Sequence, residues 1–322
     1  SRLFTLPPLG IVCFIIWRFV ERRRCMGGCM EKVEDAVILA GGSGTRMLPA
    51  SLFMPKETMP LVDTPLINHL IWEAAKAGVS RVHLVLSRRK YGILREFIDN
   101  EEVHEDSIRT DLPRDSLRLG LEGLSVIPHI QTSPGGVGDA ISAAIDSLDG
   151  PFLVLLGDML LMDSHVGPLD SGPEHASSAS SELVDLFSKT GLPVVGVCPV
   201  EMEEVSNYGV VDISNQMVRG IVEKPDMESA PSEYVLCGRY IFPNNTKKIL
   251  EMYPVSEFGE LQSIEILNHL IQNGGLQAVK LEHISMYDSG NPLSWLKSQI
   301  DHALQREDLG NSLKRWIEER VE

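Results

Sequence analysis

The sequence lacks the cysteine content of a disulfide-stabilised secreted protein. It holds five cysteines in 322 residues, and three of them lie within the first 30 residues. The other two, Cys198 and Cys237, fall in apolar runs typical of buried strands. An odd number so distributed argues against a disulfide framework and indicates a reducing, cytoplasmic compartment.

Positive charge is also scarce. The chain has 29 lysines and arginines against 45 aspartates and glutamates, which gives a net charge of −16 at pH 7. A protein that binds nucleic acid needs a basic surface, so this balance argues against such a partner. A local basic pocket in an acidic protein still suits a nucleotide. The sequence also lacks the G-x-S-x-G motif of a nucleophilic serine and the histidine spacing of a zinc site.

An apolar run of the length that spans a membrane is missing as well. In the N-terminal tail, residues 1–34, the uninterrupted apolar stretch covers residues 9–17, whereas a transmembrane helix needs about 20 residues. The arginines at residues 22–24 follow that stretch, whereas the charges of a signal peptide precede it. Three interpretations stay open: a weak membrane anchor formed by residues 1–24, a hydrophobic tail without a role, and translated upstream sequence with the true start at Met26 or Met30. We favour the last.

From residue 35 onward, short apolar runs alternate with amphipathic stretches, which is the pattern of an α/β fold. We predict a three-layer α/β/α sandwich with a mixed, mostly parallel central sheet. Residues 100–120 are expected to form a surface excursion, and the serine-rich residues 171–181 a mobile loop. The predicted strands cover residues 36–40, 81–86, 124–130, 152–156, 193–199, 208–212, 218–223 and 234–242. The predicted helices cover residues 65–77, 91–98, 138–148, 244–252, 264–272 and 292–306.

A glycine-rich turn follows the first predicted strand. Residues 36–40 run directly into G-G-S-G-T-R, which ends at Arg46, and Lys56 follows within Pro55-Lys56-Glu57. Glycines let backbone N–H groups approach phosphates, and arginine and lysine add positive charge. No G-K-[ST] closes the turn and the glycines do not form G-x-G-x-x-G, so it is neither a Walker loop nor a dinucleotide fingerprint.

Three further motifs lie downstream. Residues 131–138, Q-T-S-P-G-G-V-G, are a second glycine-rich segment between a strand and a helix, and taken alone they indicate a plain turn. Asp158 directly follows a buried strand, at the edge where the ligands of open α/β sheets gather. It suits a magnesium ligand or a loop cap. Glu223-Lys224-Pro225 follows another strand, where a lysine is usually solvated.

Together these motifs resemble those of the sugar-nucleotide pyrophosphorylases over residues 35–304. Within that family the likeness is to the bacterial and archaeal type of UTP–glucose-1-phosphate uridylyltransferase. The resemblance implies a Rossmann-like nucleotidyltransferase fold over residues 35–322, with a nucleotide half at residues 35–160 and a sugar-phosphate half at residues 190–305. It also implies Mg²⁺ as the cofactor and uridylyl transfer from UTP to glucose 1-phosphate, giving UDP-glucose and pyrophosphate.

The same resemblance assigns roles to individual residues. The catalytic residues are expected to be Arg46, Lys56, Asp158 and Lys224, and the metal ligands Asp158 and Asp288. The sugar phosphate is expected to contact Gly209, Glu223, Lys224 and Gly238. The nucleotide is expected to contact Ala40, Gly41, Gly42, Gly44, Thr45, Gln131, Gly136 and Gly138. The side chain of Gln131 offers both a donor and an acceptor, which suits the imide edge of uracil or thymine.

The chain departs from the family's pattern at three places. Asp139 stands where a histidine usually follows the last glycine of the second loop, and Leu52 stands at a position that is commonly basic. Residues 259–262 resemble the family's G-E-[IL]-Q, but Ser263-Ile264-Glu265 stands where most relatives have L-T-D. These departures leave open dTTP in place of UTP, as in a thymidylyltransferase, and another sugar 1-phosphate. A catalytically silent, sugar-nucleotide-binding regulatory paralogue is the alternative from a different class, but the retained charged residues favour the enzyme. We also expect a homo-oligomer.

Overall fold

The apolar runs of the sequence become the strands of a nine-stranded central sheet and two small two-stranded sheets. The computed structural model describes residues 31–92, 123–253 and 262–321. In chain order the strands are β1 (Asp35–Ala40), β2 (Pro60–Leu61), β3 (Thr64–Pro65), β4 (Arg81–Ser87), β5 (Ser125–Gln131), β6 (Phe152–Leu156), β7 (Met159–Met162), β8 (Val194–Pro199), β9 (Gly209–Ser214), β10 (Met217–Glu223), β11 (Tyr234–Phe242), β12 (Gln277–Lys280) and β13 (Ser285–Asp288). β1 and β6 are buried on both faces, which is why they read as continuous apolar runs.

The order of strands in the large sheet is β5-β4-β1-β6-β11-β8-β12-β10-β9. The first four pair in parallel, so their carboxyl ends meet at one edge. β11 runs antiparallel to both β6 and β8, while β8 and β12 pair in parallel. β9 and β10 form an antiparallel hairpin, and β2–β3 and β7–β13 form the small sheets. The predicted mixed sheet is confirmed.

Helices cover both faces of this sheet. They are α1 (Leu66–Lys76), α2 (Gly136–Ala144), α3 (Ala179–Thr190), α4 (Thr246–Glu251), α5 (Ser263–Asn273), α6 (Pro292–Gln305) and α7 (Gly310–Val321). One core joins α1 and α3 to Ile38 and Leu84, and a second core joins α2, α4 and α5 to Val37 and Val154. Neighbouring residues such as Val37 and Ile38 enter opposite cores because side chains alternate across a strand. The predicted three-layer sandwich is therefore confirmed.

The prediction of a mobile loop over residues 171–181 is wrong. Pro173–His175 forms a short 3-10 helix, and α3 begins at Ala179. Ser180 is fully buried, and its hydroxyl donates to Glu73 Oε1 at 2.5 Å. The serines here satisfy polar groups around the start of a helix, so their abundance did not indicate mobility.

Seven of the labelled strands and helices were not predicted from the sequence: β2, β3, β7, β12, β13, α3 and α7. The five strands have two to four residues each, too few for a clear periodic pattern. The predicted surface excursion at residues 100–120 lies outside the described residues, and so does the predicted helix over residues 91–98 beyond residue 92.

Helix α6 connects the C-terminal part of the chain to the N-terminal part. Gln299 donates to the carbonyl of Pro60 at 2.8 Å and accepts from the backbone N–H of Val62 at 2.6 Å. Directly after α6, Arg306 pairs with Asp63 at 2.7 Å. The described residues from Lys32 onward form one compact unit. Within the described ranges, no helix is long and apolar enough to cross a membrane.

Candidate active site

The segments that follow the parallel strands β5, β4, β1 and β6 lie at one edge of the sheet. A cleft of 680 Å³ opens at this edge. The glycine-rich turn follows β1, a basic run follows β4, the second glycine-rich loop follows β5, and Asp158 follows β6. Of the residues predicted from the sequence, the cleft is lined by Gly41, Gly42, Lys56, Gln131, Gly136 and Asp158.

The glycine-rich turn needs glycine at two positions. Gly44 has a φ of 66°, in the left-handed region that other residues rarely adopt. Gly41 lies against the amide oxygen of Gln131, so any side chain at position 41 would take that space. The carbonyl oxygen of Ala40 accepts from Lys90 Nζ at 2.8 Å. These contacts hold the turn beside the second loop.

Lys56 and Asp158 form an ion pair in the cleft. Lys56 lies in the 3-10 helix Lys56–Thr58, and its Nζ donates to Asp158 Oδ2 at 2.8 Å. Burial by itself would raise the pKa of Asp158. The charge of Lys56 and, more weakly, that of Arg46 outweigh burial and hold the pKa of Asp158 below its ordinary value. Asp158 is therefore a charged carboxylate at neutral pH, as a cation ligand must be.

A second buried ion pair stands next to the first, and sequence reasoning missed it. Lys90 Nζ donates to Glu57 Oε1 and Oε2 at 2.8 and 2.7 Å. Burial raises the pKa of Glu57 and lowers that of Lys90, and the attraction between the two groups opposes both shifts. The signal was the run Arg88-Arg89-Lys90 directly after β4, at the edge where ligands gather. Arg88 and Arg89 also line the cleft.

The segments that carry the two predicted metal ligands, Asp158 and Asp288, lie side by side at one corner of the site. Asp288 opposes the first residue of β7 in the β7–β13 pair, and Ser289 donates through its backbone N–H and its hydroxyl to the carbonyl of Asp158, at 2.9 and 3.0 Å. Asp288 Oδ1 accepts from the N–H of Gly290 at 2.6 Å. The guanidinium of Arg46 lies against Gly290, so Arg46 belongs to the same corner.

The side-chain amide of Gln131 is held from two sides. Its Nε2 donates to Asp139 Oδ2 at 2.7 Å and to the carbonyl of Gly136 at 3.4 Å. Its Oε1 lies over Gly41. Gly138, which was predicted to contact the nucleotide, is buried within the first turn of α2 and does not line the cleft.

The predicted sugar-phosphate residues are far more exposed. Glu223 and Lys224 approach each other at 3.8 Å, and their side chains are 55% and 61% exposed. Gly209 opposes Glu223 in the hairpin and leaves room for its carboxylate. Lys224 has a φ of 46°, and its backbone N–H donates to the carbonyl of Tyr208 at 2.9 Å. A positive φ is uncommon for lysine, and such strain concentrates at functional sites.

Two residues link this exposed region to the corner that contains Asp158. Burial and then the nearby carboxylates of Asp288 and Glu204 together raise the pKa of Tyr208 to about 12. Gly238 has a φ of 71°, lies at an irregularity of β11 and packs against Leu156, the last residue of β6. The cleft itself is not lined by Ala40, Gly44, Thr45, Arg46, Gly209, Glu223, Lys224, Gly238 or Asp288.

Within the part of the chain that the structure describes, no group of three His, Cys, Asp or Glu side chains is arranged to hold a metal ion. A metal at this corner would therefore need oxygen ligands from a substrate or water besides the two carboxylates. That is the coordination Mg²⁺ prefers in phosphate sites.

The sequence pattern of the protein family described as nucleotidyl transferase matches residues 35–303. The chain belongs to the nucleotidyl transferase family. The matched region covers both glycine-rich segments, the cleft and the hairpin that ends before Lys224. It therefore contains every part of the site described above.

Two relatives of this chain carry the same activity in their names. A UTP–glucose-1-phosphate uridylyltransferase of Streptococcus pyogenes is 31% identical over 297 residues, which cover 89% of this chain and 94% of the relative. Another from Bacillus subtilis strain 168 is 31% identical over 300 residues, covering 90% of this chain and 96% of the relative.

Solved structures of UDP-glucose pyrophosphorylases also superpose on this chain. A UDP-glucose pyrophosphorylase from Acinetobacter baumannii superposes with a TM-score of 0.74 at 30% identity, covering 89% of this chain and 99% of that one. A UTP-bound structure from the same organism gives a TM-score of 0.74 at 28% identity with the same coverage. A UDP-glucose pyrophosphorylase complexed with UDP-glucose gives a TM-score of 0.70 at 26% identity, covering 84% and 98%. The predicted family and fold are confirmed.

Proposed function

We propose that this nucleotidyl transferase moves a uridylyl group from UTP to glucose 1-phosphate, giving UDP-glucose and pyrophosphate. The observation that carries the proposal is the 31% identity, over 89% of the chain, with relatives named for this reaction. The charged corner formed by Lys56, Asp158 and Arg46 supports it, because the reaction gathers negative phosphate groups.

The chemistry is an in-line displacement. A phosphate oxygen of glucose 1-phosphate attacks the α-phosphorus of UTP and forms a new P–O bond. The bond from the α-phosphorus to the bridging oxygen breaks, and pyrophosphate leaves with the electron pair. No covalent intermediate with the protein is needed, so positioning and charge neutralisation account for the catalysis.

Each basic residue has a separate role in this proposal. Lys56, fixed by Asp158, holds the triphosphate. Arg46 neutralises the pyrophosphate as it leaves. Lys224 binds the phosphate of the incoming sugar, while Glu223 accepts hydrogen bonds from sugar hydroxyls. The strained backbone at Lys224 supports a binding role for that turn.

Asp158 and Asp288 would hold Mg²⁺. Their fit rests on the lowered pKa of Asp158 and on the hydrogen bonds from Ser289 that join the two segments. When bound, the ion would neutralise phosphate charge during transfer. Lys56 keeps one oxygen of Asp158 oriented towards the cleft, which limits the rotation of that carboxylate. A homo-oligomer and a cytoplasmic location stay predictions.

A substrate panel tests the proposal. Purified protein with Mg²⁺ is offered UTP, dTTP, CTP, ATP and GTP against several sugar 1-phosphates, and pyrophosphate release is measured. UTP with glucose 1-phosphate should give the highest kcat/KM. A preference for dTTP would make the protein a thymidylyltransferase, and the absence of turnover with every pair would favour the silent regulatory paralogue.

The metal ligand is tested by Asp158→Asn, which keeps the shape of the side chain and removes its charge. We expect kcat to fall on the order of 100-fold, and the Mg²⁺ concentration needed for half-maximal rate to rise. The second readout separates metal binding from the orientation of Lys56. An Asp158→Asn protein with full activity would show that the metal is held elsewhere.

A further inference from the structure

We propose that Asp139 is a positioning residue that fixes the amide of Gln131 with its oxygen towards the nucleotide base, and that this orientation selects bases carrying an N3–H group. The inference rests on the proposed function, since it names how the same cleft distinguishes one nucleoside triphosphate from another.

The first step concerns the two ends of a glutamine amide. Its oxygen and its NH₂ group have nearly the same shape, so either end could face a ligand. A carboxylate has no proton to donate, so Asp139 Oδ2 at 2.7 Å requires that the nitrogen of Gln131 be the end facing it. The carbonyl of Gly136, a second pure acceptor, lies 3.4 Å from the same nitrogen. Both donors of the Gln131 amide are thus directed to protein groups.

The second step concerns the oxygen. Oε1 of Gln131 lies over Gly41, where the missing side chain leaves room for it, and both residues line the cleft. Leu39, Val137 and Ala140 line the same cleft and supply apolar surface. A planar base stacked on this apolar surface would have its edge facing Oε1 of Gln131, which is a hydrogen-bond acceptor and not a donor.

The third step is the chemistry of that edge. Uracil and thymine carry a proton on N3, so each can donate to Oε1 of Gln131. Cytosine has an unprotonated N3 that can only accept, so its lone pair would face another lone pair. A site that hydrogen-bonds a substrate group rejects an analogue that lacks it, because its own polar atom is then left without a partner.

A histidine at position 139 would not impose this orientation, since each ring nitrogen of a neutral imidazole either donates or accepts according to the tautomer. The aspartate removes that ambiguity. Asp139 lies in the first turn of α2, where the helix dipole stabilises a negative side chain. The charge is therefore compatible with its place in the fold.

The test measures binding of UTP and of CTP by calorimetry, in the presence of Mg²⁺ and without the sugar substrate. The wild-type protein is compared with Asp139→Asn and Asp139→Ala. The amide of Asp139→Asn can face Gln131 with either its oxygen or its NH₂ group, so the orientation is no longer imposed. The matched control is Asp146→Asn, since Asp146 follows α2 and pairs with Lys247 at 2.6 Å outside the cleft.

We expect the wild type to bind UTP at least about tenfold more tightly than CTP, and both Asp139 variants to lose most of that ratio. Asp146→Asn should keep it. A loss of structure would weaken the binding of both nucleotides equally and leave the ratio of their affinities unchanged. An unchanged ratio in the Asp139 variants would therefore overturn the inference. Equal binding of UTP and CTP by the wild type would also overturn it. Selective UTP binding without turnover would overturn the proposed function and leave the role of Asp139 intact.

Discussion

The nucleotide side and the sugar side of this site differ in how their charges are held. On the nucleotide side, Lys56 and Asp158 approach to 2.8 Å, with side chains 11% and 31% exposed. On the sugar side, Glu223 and Lys224 are 3.8 Å apart, with side chains 55% and 61% exposed. Charges of the first kind are fixed by their neighbours before a ligand arrives, whereas those of the second kind are solvated and mobile.

Under the proposed function, this difference gives the two substrates different kinds of site. The triphosphate would enter a preorganised arrangement, in which little reorientation of protein charges is needed. The sugar phosphate would enter a region of exposed side chains, whose ordering on binding carries an entropic cost. Substitutions on the nucleotide side should therefore change stability or kcat, and those on the sugar side KM.

The largest expected effect comes from breaking the buried pair beneath Lys56. Lys90→Met keeps the length of the side chain but leaves the carboxyl group of Glu57 fully buried and without its ion-pair partner. We expect the free energy of unfolding to fall by about 3–5 kcal/mol, the usual cost of removing one partner of a buried ion pair. Urea unfolding followed by circular dichroism measures it.

Lys247→Met is the matched control, because Lys247 forms an equally short pair, 2.6 Å from Asp146, but in solvent. The free energy of unfolding of the Lys247→Met protein should not differ measurably from that of the wild type. The double variant Glu57→Leu with Lys90→Met should recover part of the loss, since it removes both charges. Equal effects of Lys90→Met and Lys247→Met would contradict the distinction drawn between buried and exposed pairs.

A smaller effect should separate the two substrates. Lys224→Ala is expected to raise KM for glucose 1-phosphate at least about tenfold and to leave KM for UTP nearly unchanged, since a hydrogen bond to a charged group contributes about 1.5–3 kcal/mol. Arg46→Ala should instead lower kcat by a similar factor, because charge on the pyrophosphate grows in the transition state. Steady-state kinetics with each substrate varied in turn measures both.

Neither variant should lose stability, because both side chains are exposed. Thermal unfolding of Lys224→Ala and Arg46→Ala is the control. If Lys224→Ala raised the KM for UTP alone, the division into a nucleotide side and a sugar side would be wrong, even if the proposed reaction were right.

The smallest effect concerns the helix that joins the two parts of the chain. His302 of α6 is buried, with its Nδ1 3.0 Å from Nδ1 of His165. Burial, followed by the charges of His165 and Arg306, lowers the pKa of His302 to about 4. The unfolded chain, with a pKa of about 6.5, binds more protons between these values, so stability is lost as the pH falls below 6.5.

We expect the wild type to lose about 1 kcal/mol of unfolding free energy between pH 8 and pH 6 from this residue. His302→Gln should lose correspondingly less over the same interval, whatever its stability at pH 8. Urea unfolding of both proteins at both pH values gives the comparison. Identical pH dependence in the two proteins would mean that His302 is not held neutral by the fold.

Much of the fold followed from local pattern. β6 and β11 were predicted with the bounds observed, because segments rich in apolar and aromatic residues are most stable inside a covered sheet. The strands β9 and β10 were also predicted, and the turn between them at Asn215 and Gln216 has φ values of 50° and 62°. By contrast, α3 was missed because its serine-rich start reads as a polar loop.

For the site, the sequence determined which chemical groups would gather. A glycine-rich turn after a strand, with Arg46 and Lys56 beyond it, and Asp158 at the end of another strand already specify a phosphate-binding edge. These features can be read from short stretches of sequence, because they depend only on residue type and on the position of a residue at the end of its own strand.

Only the tertiary structure decided how those groups are paired. Lys90 reaches Glu57, Asp158 reaches Lys56 and Ser289, and Asp139 faces Gln131. The choice between Asp288 and other carboxylates as a neighbour of Asp158 depends in the same way on the pairing of β7 with β13. Most of these contacts join segments that follow different strands. The order and register of the strands set which segments meet, and both follow from packing the whole sheet between its two helical layers.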